Sequence, residues 1–196
     1  MREMIKMVVV LTILSTFSGG LLAAIRIGTK EKIEYQQLKF VKGPAIRAIL
    51  EGSSNDPIVD RFKVKDGETE KSFFVGVFDG KADTISFENF GKGFGGAIGL
   101  MVGVNTKDDK IVGISVTTHG ETPGMGSKAK DDPTFVKQFK GLPFKDPFKV
   151  KADGGQIDAI TGATITSRGI CSAVTDAREV YERLKPQLSE KLKDFN

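Results

Sequence analysis

The chain has 196 residues, 39% of them apolar and 28% charged, and its 29 basic and 25 acidic side chains leave a net charge of +4. That length suits one domain of about 150 residues with a proper core plus an appendage, not two comfortable domains. The lysines are interleaved with Asp and Glu, so no stripe fits nucleic acid, and one cysteine with one histidine exclude an internal disulfide and any Cys- or His-rich metal centre.

Residues 1–6 are a short flank carrying Arg2 and Lys6. Residues 7–25, MVVVLTILSTFSGGLLAAI, contain no charge; as a helix at about 1.5 Å per residue they reach about 28 Å, close to the roughly 30 Å hydrocarbon core of a bilayer. This is the pattern of a transmembrane helix. A cleaved signal peptide is the competing reading, because small residues follow the apolar run, but the run exceeds the usual ~7–15-residue apolar region and no clean small-x-small site precedes a polar start. Arg26, Lys30 and Lys32 follow the span, so the positive-inside count does not favour a cytoplasmic N-terminus. Residues 26–43 read as a polar tether or helical extension, and residues 44–196 as the globular domain.

Pro44 opens a short helix over 45–50, closed by the turn-forming run 52–57. Five strands follow, over 59–65, 72–78, 84–90, 97–104 and 110–118, with turns at Asp79-Gly80 and 107–110. Phe73, Phe74, Val75 and Val77 on the second, and Ile98, Leu100, Val102 and Val104 on the fourth, supply the apolar face of a mainly antiparallel sheet. Strands in succession with helices at the ends make the fold α+β.

Gly91-Lys92-Gly93-Phe94-Gly95-Gly96 matches GxGxxG in form only, since the dinucleotide fingerprint needs glycines that open a helix and 97–104 reads as strand. Glycines in and before that strand mark a bulge, or a place where something flat nears the backbone. After the fifth strand comes His119-Gly120-Glu121-Thr122-Pro123-Gly124-Met125-Gly126, where Pro123-Gly124 fixes a sharp turn and the glycines uncover N–H groups, a concavity suited to an anion or the polar edge of a ring. His119 beside Glu121 has the composition of an acid/base pair, but a lone strand-end histidine is more often a structural hydrogen-bond donor; both are expected to shape the turn. Asp131-Asp132-Pro133 then caps a short helix through Phe139.

The densest stretch is Asp158-Ala159-Ile160-Thr161-Gly162-Ala163-Thr164-Ile165-Thr166-Ser167, ahead of a helical pattern of Ile170, Ala173, Val174, Ala177, Val180 or Tyr181, and Leu184. It reads as strand, tight turn, helix, with Thr166 and Ser167 as caps and Cys171 as a small part-buried helix residue. A hydroxyl just ahead of a helix N-terminus sits where a phosphate is welcome; an ordinary N-cap has the same composition.

Together the two stretches resemble one family. Asp158-x-x-Thr161-Gly162-Ala163-Thr164 is similar to the attachment motif of covalent FMN-binding domains, Asp-x-x-(Ser/Thr)-Gly-Ala-Thr, and the segment from His119 to Gly126 is similar to their His-x-Glu-Thr-Pro-Gly-Leu-Gly, with Met125 in place of leucine. With a single N-terminal span, the chain resembles the G subunits of Rnf-type ion-translocating ferredoxin:NAD⁺ oxidoreductases, close relatives of the C subunits of the sodium-pumping NADH:quinone reductase. The resemblance implies FMN bound as a phosphoester to Thr164, a site lined by the two motifs, and attachment by a flavin transferase that uses FAD and Mg²⁺. It also implies other membrane subunits as partners and a domain on the outer, periplasmic side of the cytoplasmic membrane. No catalytic residue and no metal on this chain are implied; the flavin relays electrons. A flavin subunit of another respiratory assembly, and an exported phosphate-ligand binding module in which Thr164 is merely a cap, are the alternatives.

Overall fold

In the computed structural model, which describes residues 1–195, the chain divides into two compact units, Met1–Phe40 and the remainder from Val41 onward. The first unit is essentially one helix, α1 (Arg2–Gln37), with no buried residue. It carries the uncharged run 7–25 and most of 26–43, and it is the one described helix long and apolar enough to cross a membrane. Thr12, inside the apolar run, donates its hydroxyl to the carbonyl of Val8, and Thr29, beyond the run, to that of Ile25, each at 2.8 Å, the partner an apolar surround favours.

In the second unit, α2 (Gly43–Ile49) precedes β1 (Arg61–Asp66), β2 (Thr69–Phe78), β3 (Lys81–Lys92), β4 (Ala97–Asn105) and β5 (Lys110–Thr118), which form one antiparallel sheet in the order β1-β2-β3-β4-β5. The expected strands are all present, with shifted ends. β2 and β3 meet across the two-residue turn Asp79-Gly80, both with positive φ (50° and 73°), the geometry that matches the sheet's twist. Gly67, at φ 64°, makes a further tight turn between β1 and β2, where the sequence carries the hairpin pair Asp66-Gly67. β1 starts two residues late because 56–60 is a turn, closed by Val59 N–H to Asp56 O at 3.0 Å. Register shifts fall at Gly99/Leu100 and Gly103/Val104, the bulges that glycines in a strand foretold.

The C-terminal helix α5 (Thr164–Leu192) follows two short helices, α3 (Lys128–Asp131) and α4 (Pro133–Lys137). It covers one face of the sheet, and α2 covers part of the other. Phe73, Val75, Ile85, Phe87, Leu100 and Val102 meet Ile170, Ala173, Val174, Ala177 and Leu184 in one core. Phe74 and Met101 face away from it and are nonetheless buried, with Ile46 and Ile49 of α2 and Leu50 just after it. β4 is therefore buried on both sides, and Gly103 is small because a Cβ there would stand 2.2 Å from Ile49 Cγ2. α5 crosses β3 closely at Gly169, where a Cβ would lie 2.4 Å from Lys92 O; one on Gly91 would lie 2.2 Å from Gly169 O. Asn89 fastens the same seam, donating from Nδ2 to Ala173 O at 2.9 Å. At the far end of α5, the Tyr181 hydroxyl and Lys185 Nζ both bond Asp109, at 2.7 and 2.6 Å. The Cys171 thiol is buried, and that burial, with the nearby Asp153 charge, pushes it up to about 12.

Candidate functional site

Two turns of like construction approach each other at the N-terminus of α5. In the first, Met125 N–H bonds Thr122 O at 3.2 Å, with proline second and Gly124 third at φ 75°; in the second, Ala163 N–H bonds Ile160 O at 2.9 Å, with Gly162 third at φ 78°. Positive φ at the third position is the reason glycine occupies both. The turns touch, since Met125 Cε lies 3.5 Å from where a Gly162 Cβ would be. Between them lies a cleft of about 410 Å³ lined by Phe94, Glu121, Thr122, Met125, Gly126 and residues 162–166, a size ordinary for small-molecule sites.

Thr164 is the first residue of α5, half-buried in the cleft wall, and no side chain caps the helix. The first intrahelical bond is Ser167 N–H to Ala163 O at 3.0 Å, so the N–H groups of Thr164, Ile165 and Thr166 precede the ladder and point outward with the positive end of the helix dipole. The expected capping role of Thr166 and Ser167 is corrected: both sit within the first turn. Ser167 Oγ accepts from Ile160 N–H at 2.9 Å and donates to Ala163 O, fixing the entry loop, while the Thr166 hydroxyl donates to Glu121 Oε2. The expected strand before the motif is replaced by a short turn, Lys151–Asp153, and a lone bridge from Val150 to Ile157; the loop between that bridge and α5 supplies no ladder.

Glu121 is the brace of the site. It is 6% exposed, its Oε1 accepts from Gly95 N–H at 2.8 Å, and its Oε2 reaches α5. It thus ties together the glycine-rich loop, its own turn and the helix start. His119 does the opposite of donating: its Nδ1 accepts from the Glu121 backbone N–H at 3.3 Å. The glycine-rich loop also departs from expectation, because what nears its backbone is the protein itself: Glu121 at Gly93 and the Gly120 carbonyl at Gly95. Only Phe94 of that loop reaches the cleft, 71% exposed.

Of the residues singled out from sequence, Glu121, Thr122, Met125, Gly126, Gly162, Ala163 and Thr164 line the cleft. His119, Pro123, Gly124, Asp158 and Thr161 flank it. Asp158 is exposed on the surface, its carboxylate paired with Lys151 Nζ at 2.7 Å and its backbone bracketed by the Gln138 amide at 2.7 and 3.2 Å. Arg168 makes a two-pronged bond to Asp153, each contact 2.7 Å, which holds that carboxyl below its usual range. Phe94, Ile165 and Thr166 also line the cleft, and the motifs did not point to them as lining residues; a phenylalanine isolated among glycines was the available signal. The arrangement offers N–H groups and a hydroxyl for a phosphate, and exposed apolar side chains of Phe94, Met125 and Ile165 for a flat ring.

Comparison with known proteins bears on what occupies such a cleft. Residues 93–179, which contain both turns, match the family model of the FMN-binding domain. The chain is 34% identical over 142 residues to the G subunit of the ion-translocating oxidoreductase complex of Cereibacter sphaeroides, covering 68% of this chain and 64% of that one, so it spans somewhat under two thirds of that relative's length. It is 30% identical over 190 residues to the corresponding G subunit of Vibrio cholerae, covering 91% of this chain and 90% of the relative. In structure it resembles the C subunit of the Na⁺-translocating NADH-quinone reductase of Parabacteroides distasonis, with a TM-score of 0.51, 30% identity, and coverage of 58% of this chain and 62% of that one. The chain therefore belongs to the family of G subunits of ion-translocating oxidoreductase complexes, and residues 93–179 are its FMN-binding domain.

Proposed function

We propose that this chain is the membrane-anchored flavin subunit of an Rnf-type ion-translocating ferredoxin:NAD⁺ oxidoreductase, holding FMN as a phosphoester on Thr164. One observation carries the reading: Thr164 opens α5 inside the wall of the cleft, at a helix N-terminus that no side chain caps. The residues present fit the group. The N–H groups of Thr164, Ile165 and Thr166 would receive the phosphate, Gly162 leaves the approach open, and Phe94, Met125 and Ile165 would cover the ring and exclude water. Bound FMN supplies one- and two-electron chemistry that no side chain here possesses.

An unactivated threonine hydroxyl is a weak nucleophile, so attachment calls for a flavin transferase with FAD and Mg²⁺. In such a transfer the Thr164 oxygen would take the FMN phosphoryl group of FAD, with AMP as the leaving group and the hydroxyl proton passing to solvent. Asp158 and Thr161, exposed beside the cleft, are the recognition face for that enzyme, while His119, Pro123 and Gly124 hold the turn that carries Thr122 and Met125. A tethered carrier cannot dissociate, which suits a relay between centres in partner subunits. α1 anchors the chain in the cytoplasmic membrane, with the flavin domain on the outer side.

Intact-mass measurement of protein made beside the transferase decides the attachment. The native chain gains the mass of a flavin phosphoryl group and fluoresces in a denaturing gel, and Thr164→Val does neither; an unshifted native mass refutes the reading. Protease added to cells with a permeabilised outer layer removes the domain, and a protected domain refutes its outer placement.

A further inference from the structure

The cleft wall contains a buried charge that the attachment chemistry does not use. Glu121 accepts hydrogen bonds at both oxygens, from Gly95 N–H and from the Thr166 hydroxyl, a set of partners suited to a carboxylate. Two glycines make room for it: a Cβ on Gly93 would stand 2.3 Å from Oε1, and one on Gly126 would stand 2.4 Å from Oε2. Among the described residues no Lys, Arg or His nitrogen lies within ion-pairing distance of this carboxylate. Its partners are a neutral amide and a neutral hydroxyl, so dipoles, the start of α5 among them, solvate it and no cation pairs with it in the cleft wall.

We infer that Glu121 holds the potential of a flavin in this cleft low, acting as a fixed negative charge; the inference rests on FMN occupying the cleft. Reduction of the oxidised ring by two electrons and one proton yields a ring with one negative charge. A buried carboxylate with no cation paired to it in the same wall raises the energy of that product and scarcely affects the neutral oxidised ring. The bridge from the glycine-rich loop to α5 keeps the charge in place through both states.

Glu121→Gln separates charge from brace, because the amide oxygen still accepts from Gly95 N–H and the amide nitrogen can donate to the Thr166 oxygen. Thr166→Val does the reverse, loosening the brace and keeping the charge. The measurement is a potentiometric titration of the full flavin-loaded chain in detergent, with dithionite supplying the electrons and solvent the proton. Glu121→Gln shifts the reduction equilibrium toward the reduced flavin by at least about tenfold, about 30 mV for a two-electron couple, while Thr166→Val does not shift it that way. The native chain reduces at a more negative potential than free FMN in the same buffer. A shift under tenfold for Glu121→Gln, an equal rise for Thr166→Val, or a native potential at or above that of free FMN overturns the inference, and the last comparison needs no variant. Absence of flavin from the native chain, read by mass, fails the occupancy reading instead.

Discussion

Replacing Gly169 with alanine sets two opposite effects against each other at the seam between α5 and β3. In an exposed helix interior the change from glycine to alanine gains about 1 kcal/mol. Here the new Cβ would lie 2.4 Å from Lys92 O, 2.8 Å from Lys92 C and 3.2 Å from Gly93 N. Ordinary van der Waals contact begins at 3.4 Å, so helix and strand must separate by about 1 Å in an interior that is close-packed. The obstacle is backbone, which no rotamer change relieves, and overpacking of this kind costs about 1–3 kcal/mol. Because the obstacle is backbone, the upper half of that range applies, about 2–3 kcal/mol, and the expected net loss is about 1–2 kcal/mol. Urea unfolding of the full chain in detergent, followed by circular dichroism, reads this as a lower midpoint at unchanged slope. Gly91→Ala meets the same seam from the strand side, 2.2 Å from Gly169 O, so the double variant loses less than the sum of the two, because one displacement serves both. A Gly169→Ala chain as stable as the native one, or more stable, refutes the close approach.

Acid sensitivity follows from Asp109. Burial pushes its carboxyl up, but hydrogen bonds from Lys185 and Tyr181 and the charges of Lys185 and Lys145 outweigh that and hold it below the usual range. A depressed carboxyl contributes stability that is present above its unfolded value, about 3.9, and is lost as pH falls through the folded one. Asp109→Asn, which tolerates the positive φ of 52° and still accepts from Tyr181, flattens that acid limb; an unchanged limb in the variant refutes the assignment. The raised Cys171 thiol contributes stability that is complete below its unfolded value, about 8.5, and lost as pH climbs toward 12. Iodoacetamide at about pH 8, just under that unfolded value, therefore labels Cys171 at the rate of unfolding, and labelling at the rate of a free thiol refutes its burial.

Fold class was legible because the strands announce themselves by β-branched and aromatic runs between turn residues, and because the apolar spacing from Ile170 to Leu184 is that of the helix that covers them. Strand ends were less legible: whether Thr69 to Lys71 or Lys81 to Asp83 pair depends on a partner strand, which no local composition encodes. At the site, positions dictated by backbone geometry could be read directly, as with Gly124 and Gly162 in their positive-φ turns. Roles set by distant partners could not. Thr166 looks like a cap until Glu121, 45 residues away in sequence, is seen to accept its hydrogen bond, and Gly93 and Gly95 look like a landing for a ligand until the chain's own turn is found there.

Each strand pairs only with its neighbours in sequence, so the sheet assembles from hairpins as they are made, a topology of short loop closures. Its cover arrives last: all five strands are complete at Thr118, yet the face bearing Ile85, Phe87 and Leu100 stays bare until the final long helix docks. At about 5–20 residues per second that interval lasts several seconds of synthesis. Thr164 takes its helical place in the same docking, so a chain cut short within α5 has neither a closed core nor a presented hydroxyl. Under the proposed attachment, completion of the domain and readiness of Thr164 are one event.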